Sequence, residues 1–290
     1  MIKYLLFNFL LISPKIVLGQ SDSTYFKEII GVLANDSLQG RAVSSVYEEK
    51  SAKYISKKFK ENKKFKPQIH HFQYFNADSS QSFTSKNVYC FLDNKADSTI
   101  LIGAHYDHIG LGNGFSRSYN QKGVHNGADD NASGVALMLG LAKTHKKWVK
   151  KKYNYLFVAY SAHEIGLFGS TAFSKFCETN FKPIHFVLNF DMVGRFDEKA
   201  QILNIYGVQT LKKHKNYFDL LDFKGKIYTQ ESDIIFQTDA KSFAQKNIQS
   251  LSFTTGIHID YHKVSDDENK INYKGLLYIQ QIIQKFLLDM

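Results

Sequence analysis

The stretch Thr99–His105, TILIGAH, indicates the fold class of this 290-residue chain. Up to its terminal histidine it is apolar on both faces of a strand, which is typical of a strand buried in a parallel sheet. Similar short runs follow at YNYLFVAYS, IHFVLNFD and IQSLSFTT, and helical segments such as NASGVALMLGLAKTH and GSTAFSKFCETN separate them. This alternation predicts an α/β fold with a mixed, mainly parallel central sheet flanked by helices on both faces.

Two helices and two strands are predicted before this stretch. Apolar residues recur at helical spacing in DSTYFKEIIGVLAND and SSVYEEKSAKYISKKFKENKK, with Gln39–Arg41 in the turn between them. QIHHFQYF and KNVYCFLD alternate in the manner of strands and predict an antiparallel start to the sheet. At the other end, the segment NYKGLLYIQQIIQKFLL has one apolar helical face that should pack on the sheet, formed by Leu276, Ile279, Ile283 and Phe286.

The first twenty residues predict a cleaved secretory signal peptide, with an uncleaved anchor as the alternative. Lys3 precedes an apolar stretch from Tyr4 to Ile12, and Val17–Gly19 suits signal peptidase. No later segment approaches the roughly 20 apolar residues that a spanning helix needs. We therefore predict a signal peptide at 1–20, a single domain at 21–290, and export to the periplasm, cell surface or medium without a stable membrane span.

Cysteine content and charge exclude two other classes of protein. Only Cys90 and Cys177 occur, so the chain has no disulfide framework, and two free buried thiols are favoured over a single bridge. The formal charge of +10 is spread along the chain without a recognisable nucleic-acid motif or an aromatic stacking pattern. The densest cluster, KKWVKKKYN, suits the end of a helix, where cations are favourable. Nucleic-acid binding is therefore not predicted.

Residues suited to metal binding follow four of the predicted strands. In open α/β sheets, ligands bind outside the carboxyl ends of the strands. A fifth candidate lies in GADDNAS, at the start of the helix that follows the long loop from His108 to Gly134. One such residue alone is more often a cap or turn residue, so the prediction rests on the whole set. The candidate ligands are His105, Asp129, Glu164, Asp191 and His262.

Two imidazoles and three carboxylates suit zinc, although ligand type alone also allows manganese or cobalt. Five ligands would saturate one ion, whereas a bridging carboxylate lets two ions each have three protein ligands and share a water. Asp107 projects from the same strand face as His105, and its predicted role is to fix that imidazole through its second ring nitrogen. His108 and His125 stay undecided, with loop structure preferred, and five other histidines are predicted to be ordinary surface or core residues: His70, His71, His145, His185 and His214.

Successive motifs of the chain resemble those of the M28 family of zinc peptidases, the co-catalytic two-zinc aminopeptidase type. They are GAHYDH, HNGADDNASG, HEIGLFGS, NFDMVG and TGIHIDYHKVSDD, and LANDSLQGRA is similar to the opening of exported bacterial members. The resemblance runs in matching order from about Leu33 to Asp266. It implies a phosphorylase/hydrolase-like fold of the zinc-peptidase type and two Zn²⁺ ions. One ion would be held by His105 and Asp191 and the other by Glu164 and His262, with Asp129 bridging them and a cis peptide bond after it.

The resemblance implies a secreted aminopeptidase that acts on peptides with a free N-terminus. In the family, the glutamate immediately before the ligand glutamate is the general base, but this chain has His163 there. His163 is interpreted first as the base, because every other motif position is intact and an imidazole can accept a proton. It could instead be an extra metal ligand, or a structural substitute in a catalytically impaired metal-binding homologue. A glutaminyl-cyclase-like acyltransferase is a further alternative, which normally uses a single zinc.

Overall fold

The computed structural model describes residues 21–75, 80–112, 114–119, 121–211, 226–230 and 237–290. The predicted signal peptide at 1–20 lies outside the described residues. Within these ranges, no helix combines the length and the apolar character needed to cross a membrane.

Eight strands form one sheet in this part of the chain. They are β1 Gln68–Phe75, β2 Ser82–Leu92, β3 Thr99–His105, β4 Asn154–Tyr160, β5 Ile184–Phe190, β6 Ile202–Tyr206, β7 Lys226–Gln230 and β8 Gln249–Thr254. Their order in the sheet is β1-β2-β4-β3-β5-β8-β6-β7. β4, β3, β5 and β8 run parallel to one another, whereas β1, β2 and β6 pair antiparallel with their neighbours β2, β4 and β8. The predicted class, an α/β fold with a mixed sheet and a parallel centre, is confirmed.

Helices cover both faces of the sheet, as predicted. They are α1 Ser21–Leu33, α2 Val46–Lys60, α3 Gly134–Lys143, α4 Phe168–Asn180, α5 Lys241–Ala244 and α6 Tyr273–Asp289. Ile100 and Ile102 of β3 pack in the core beneath α1, α2, α3 and α6, while Leu101 points to the opposite face beneath α4 and α5. Cys90 lies in the first core and Cys177 in the second, so the sheet separates the two free thiols.

Local sequence signals set the helix boundaries. Ser45 caps α2 by accepting the N–H of Glu48, and the Glu48 carboxylate accepts the N–H of Ser44 in return. Asn272 caps α6 by accepting the N–H of Gly275. The predicted apolar face of α6 is buried on the sheet, where the ring of Phe286 lies 5.6 Å from that of Phe186 in β5.

The turn Asp36–Arg41 between α1 and α2 holds two chain segments that lead to the candidate site. The guanidinium of Arg41 is fully buried, and burial lowers its pKa to about 10. It donates to the backbone carbonyls of Leu33 at 2.5 Å, Tyr106 at 2.8 Å, Asn126 at 2.6 Å and Gly127 at 3.0 Å. Arg41 therefore ties the end of α1 to the segment after β3 and to the end of the long loop.

Gly40, the residue before this arginine, makes the close approach possible. Its φ is +65°, and a Cβ there would lie 2.5 Å from the carbonyl oxygens of Gly110 and His125. A larger residue would push the long loop away from the turn. The stretch LQGR thus holds the first and last parts of the long loop, at Gly110 and at His125–Gly127, against the turn.

Candidate metal centre

Side chains that follow four parallel strands meet at one edge of the sheet. His105 is the last residue of β3, and Asp191, directly after β5, donates its N–H to the carbonyl of Phe253 in β8. Glu164 follows β4 after a short turn, and His262 lies in the loop after β8. Because these strands are neighbours, their carboxyl ends bring four of the five predicted ligands together.

Asp130 lies at the centre of this group. Its Oδ1 is 3.3 Å from Nε2 of His105, and its Oδ2 is 3.2 Å from Nε2 of His262. Nε2 of His105 is also 3.5 Å from Oδ1 of Asp191, and Nε2 of His262 is 3.2 Å from Oε2 of Glu164. Ligand atoms about 2.0–2.1 Å from a tetrahedral zinc ion lie about 3.3 Å from one another. The spacing and chemistry of these donors therefore fit zinc, in two groups that share Asp130.

Asp129, the residue predicted to bridge, is not part of this group. Its Oδ1 accepts the N–H of Gly194 at 2.6 Å and the hydroxyl of Ser133 at 2.9 Å, and its Oδ2 is 3.1 Å from Nε2 of His258. The cis peptide bond expected after Asp129 instead joins Asp130 to Asn131. The expected positions of the bridging carboxylate and the cis bond are both one residue too early in the sequence. The two adjacent aspartates point in different directions from this turn, and Asp130 is the one that faces the donors.

A buried ion pair fixes the turn that presents Asp130. Oδ2 of Asp266 accepts the N–H groups of Asp129 at 2.9 Å and Asp130 at 3.0 Å. Oδ1 of Asp266 is 3.0 Å from Nη2 of Arg195, which compensates the buried charge. Oδ1 of Asn131 also accepts the N–H of Gly134 at the start of α3. The ligand position is thus determined by backbone contacts on both sides.

Asp107 supports the site in a different way from the one predicted. Nδ1 of His105 is 3.2 Å from the backbone carbonyl of Asp107, whereas the carboxylate Oδ1 is 3.8 Å away, beyond hydrogen-bond distance. The Asp107 carboxylate instead accepts the N–H of His163 at 3.1 Å and of Glu164 at 3.2 Å. Burial raises the pKa of Asp107 to about 6. Its backbone therefore orients His105, and its side chain fixes the turn after β4.

His108 has a direct role that the sequence left undecided. Its side chain is fully buried, and Nδ1 is 2.7 Å from Oε1 of Glu164, whose other oxygen faces His262. His108 therefore orients the Glu164 carboxylate, as outer partners of metal ligands commonly do. His125, by contrast, contacts the hydroxyl of Ser116 at 2.8 Å within the long loop, in keeping with loop structure.

The imidazoles and carboxylates of the site shift each other's protonation. Burial by itself lowers the pKa of His262, but Asp130 and Glu164 outweigh it and raise the pKa to about 10. The pKa of His105 is raised well above its usual value against the same opposing effect of burial. Burial and Asp130 raise the pKa of Glu164, but hydrogen bonds from His108 and His262 outweigh them and lower it to about 2. Near neutral pH, a metal ion must therefore displace protons from these imidazoles.

We expect zinc binding to release protons and zinc affinity to rise with pH. Neighbouring carboxylates raise the pKa of both His105 and His262, which must be neutral to bind a metal, so zinc competes with protons there and each displaced proton raises the affinity about tenfold per pH unit. Calorimetric titration in two buffers of different ionisation enthalpy measures the number released. The variant His185→Gln, altered at a ring stacked on Tyr153, should leave that number unchanged. Equal heats in both buffers would contradict the expectation.

His163 lies beside the group with its ring parallel to that of His105. The ring centroids are 3.7 Å apart with an interplanar angle of 5°, and Nε2 of His163 is 3.9 Å from Oδ2 of Asp191. Distances alone would allow His105, His163 and Asp191 to surround one ion. However, nitrogen lone pairs lie in the ring planes, so an ion on the lone pair of one stacked ring lies outside the plane of the other. The geometry therefore disfavours His163 as an extra ligand of that ion.

A second carboxylate, absent from the predicted set, contacts His163. Oδ2 of Asp239 is 3.0 Å from Nδ1 of His163. Burial and the charge of His105 lower the pKa of His163, but Asp239 and Asp191 raise it to about 9. Asp239 lies outside the sequence motifs, 76 residues beyond His163 in a stretch without a recognisable pattern.

Comparison of the sequence with known proteins gives a family match. The family model for Peptidase family M28 matches residues 87–287, more than half of the chain. Aminopeptidase YwaD from Bacillus subtilis (strain 168) is 27% identical over 172 residues, which are 58% of this chain and 30% of that protein. The chain thus matches less than a third of the length of this curated relative.

Two solved structures show the same fold at low sequence identity. BSAP, a zinc aminopeptidase from Bacillus subtilis, is 15% identical with a TM-score of 0.73, covering 92% of this chain and 94% of that one. Bacteroides thetaiotaomicron glutaminyl cyclase bound to N-acetylhistamine is also 15% identical with a TM-score of 0.73, covering 94% and 99%. An aminopeptidase and a cyclase share this fold, so the fold alone does not select the reaction.

Proposed function

We propose that this chain, which belongs to peptidase family M28, is an exported zinc-dependent aminopeptidase that removes N-terminal residues from peptides. The observation that carries the proposal is the pair of donor groups that share Asp130, with nitrogen to oxygen distances of 3.2 to 3.5 Å. One zinc would be held by His105, Asp191 and Asp130, and the other by Glu164, His262 and Asp130. When bound, two such ions supply Lewis acidity towards the scissile carbonyl and acidify a shared water.

His163 is proposed to accept and return the proton in this reaction. Its side chain is 14% exposed, so a substrate or water can reach it, and Nε2 faces the ligand Asp191. Zinc ions bound beside His163 would lower the pKa of its imidazole from the value of about 9 that the carboxylates give it, which favours the neutral form that can accept a proton. Positioned general bases of this kind contribute about 10²- to 10⁴-fold to a rate.

The surface around the site favours a substrate with an apolar N-terminal residue. Phe115, Ile257 and Ile259 are 54%, 74% and 82% exposed. Phe115 is tied to the site because its carbonyl oxygen is 3.0 Å from Nδ1 of His262, and the two isoleucines lie in the segment between the end of β8 and His262. We propose that the carboxylate-rich centre attracts the free amine of the substrate, while these loops receive the adjacent apolar side chain.

The two alternatives make different demands on the site. A glutaminyl-cyclase-like acyltransferase normally uses one zinc, and Asp130 with the four donors around it supports two ions instead. A catalytically impaired metal-binding homologue would keep its metal without turnover, and the replacement of the usual glutamate by His163 is the feature that favours it.

A peptide panel with metal analysis tests the proposal. The chain from residue 21 onward, loaded with zinc, is expected to bind two ions and to release the first residue from peptides that begin with leucine or phenylalanine. N-terminally acetylated copies should resist cleavage, and chelation should abolish activity. Equal cleavage of acetylated peptides would exclude an aminopeptidase, cyclisation of N-terminal glutamine without cleavage would indicate the acyltransferase, and retained zinc without turnover would indicate the impaired homologue.

A further inference from the structure

We propose that Asp239 is a positioning residue that accepts the Nδ1 hydrogen of His163 and thereby directs the Nε2 lone pair towards the metal centre. The inference rests on the proposed function, in which His163 transfers the proton. It assigns a role to a residue that the ligand motifs do not contain.

The geometry of the His163 ring supports this role. Nδ1 is 3.0 Å from Oδ2 of Asp239, and Nε2, on the other side of the ring, is 3.9 Å from Oδ2 of Asp191. A neutral imidazole carries its hydrogen on only one nitrogen, and a carboxylate beside one nitrogen selects the tautomer that is protonated there. The hydrogen on Nδ1 leaves the accepting lone pair on Nε2, at the site.

Because Asp239 is buried, the stability of its negative charge depends on the pairing with His163. Asp239 has no exposed surface, and among the described residues His163 is its only ion-pair partner. Its second oxygen, Oδ1, is buried without a hydrogen-bond partner in the described part of the chain. A buried carboxylate is unfavourable unless it is paired. The pairing with His163 lowers the pKa of Asp239 in spite of burial, so the carboxylate is available as an acceptor.

The packing of the start of α5 against α4 anchors both Asp239 and His163. Asp239 lies just before α5, where the hydroxyl of Ser242 is 3.0 Å from that of Ser170 and 3.2 Å from that of Thr171 in α4. α4 also follows directly on the turn that carries His163. This common anchor keeps Asp239 and His163 in register with each other.

Two other contacts hold His163 without choosing its tautomer. The ring stacks on His105, and the backbone N–H is bound by Asp107. Neither contact engages a ring nitrogen of His163 as a hydrogen-bond partner, and Oδ2 of Asp191, 3.9 Å from Nε2, is beyond hydrogen-bond distance. Asp239 is therefore the contact that determines which nitrogen carries the hydrogen.

Kinetics of Asp239→Asn in two backgrounds tests the inference. An asparagine side chain can offer its N–H₂ to Nδ1 and so favour the wrong tautomer. We expect kcat to fall about 100-fold with KM changed less than about threefold, and no further loss when the substitution is added to His163→Ala. The control Lys246→Ala removes a surface ion pair between the segment after α5 and Glu178 of α4 without touching Asp239 or His163, and it should keep kcat within about threefold of wild type. Additive losses, or an equal loss in Lys246→Ala, would overturn the inference.

Nuclear magnetic resonance of the ring gives a readout that does not depend on turnover. In long-range ¹H–¹⁵N spectra of the zinc-loaded protein, the signals absent from His163→Ala identify this residue. We expect a hydrogen on Nδ1 in wild type and its loss or transfer to Nε2 in Asp239→Asn. A hydrogen on Nε2 in wild type overturns the role of Asp239 even if the enzyme is active. Absence of peptidase activity in wild type refutes the proposed function instead, while the spectra still decide the pairing.

Discussion

Asp130→Asn is expected to lose metal and activity, whereas Asp129→Asn is expected to retain both. Asp130 is the only described carboxylate within 3.3 Å of both His105 and His262, so its substitution removes a shared ligand from each donor group. We expect zinc content to fall from two ions to one or fewer per chain, and kcat/KM to fall about 10³-fold or more, equivalent to about 4 kcal/mol of transition-state stabilisation. Atomic absorption on dialysed protein and a leucine-peptide assay measure the two effects.

Asp129→Asn is a matched control because it changes the adjacent residue in the same way. Asp129 accepts hydrogen bonds from Gly194 and Ser133, which an amide oxygen can still accept in part. We expect the free energy of unfolding to decrease by about 1–3 kcal/mol with two ions retained. The assignment of Asp130 is wrong if Asp129→Asn loses the metal and Asp130→Asn keeps it.

His163→Ala is expected to lower kcat by about 10²- to 10⁴-fold while both zinc ions remain bound. The ring of His163 stacks parallel to that of His105, so an ion bound by the lone pair of His105 would lie outside the plane of the His163 ring. Removal of His163 should therefore leave the metal content unchanged. Zinc analysis and circular dichroism must accompany the assay, because the variant also leaves Asp239 buried without its partner. Full activity in this variant would exclude His163 as the general base.

His163→Glu introduces the residue that the family normally carries at this position. A glutamate there would face the buried carboxylate of Asp239, and two adjacent carboxylates resist ionising together. We therefore expect this variant to be active but slower than wild type. If wild type is inert and His163→Glu cleaves peptides, the histidine is a substitution that disabled an inherited site.

The centre of the sheet and its β1–β2 edge are predictable from sequence, and the opposite edge is not. β3, β4 and β5 are mostly apolar and largely buried, and β1 and β2 show the alternation of strands, so their sequences identify them. β6, Ile202–Tyr206, alternates between buried and half-buried residues over only five positions, too short a pattern to separate a strand from a loop. Among the described strands β7 pairs only with β6, and its assignment depends on that pairing.

The site is predictable to the level of residue type and strand position, but not to the direction of side chains. Four ligands follow strands whose ends must meet, and the sequence locates them. Asp129 and Asp130 are identical in chemistry, and only the backbone of the turn determines which carboxylate points inward. Asp239 and His163 are brought together by the packing of α5 on α4, a tertiary contact that no local pattern records.

Arg41 makes the backbone around the proposed ligands depend on a part of the chain that the family model does not cover. The segment matched to the peptidase family begins at residue 87 and contains every proposed zinc ligand. Arg41 lies upstream of it, yet its side chain satisfies the carbonyls of Tyr106, Asn126 and Gly127 next to those ligands. A fragment starting at residue 87 would keep the complete ligand list and leave three carbonyls around it without their donor. The folded unit around the site therefore includes the turn Asp36–Arg41, which lies upstream of the segment that the family model matches.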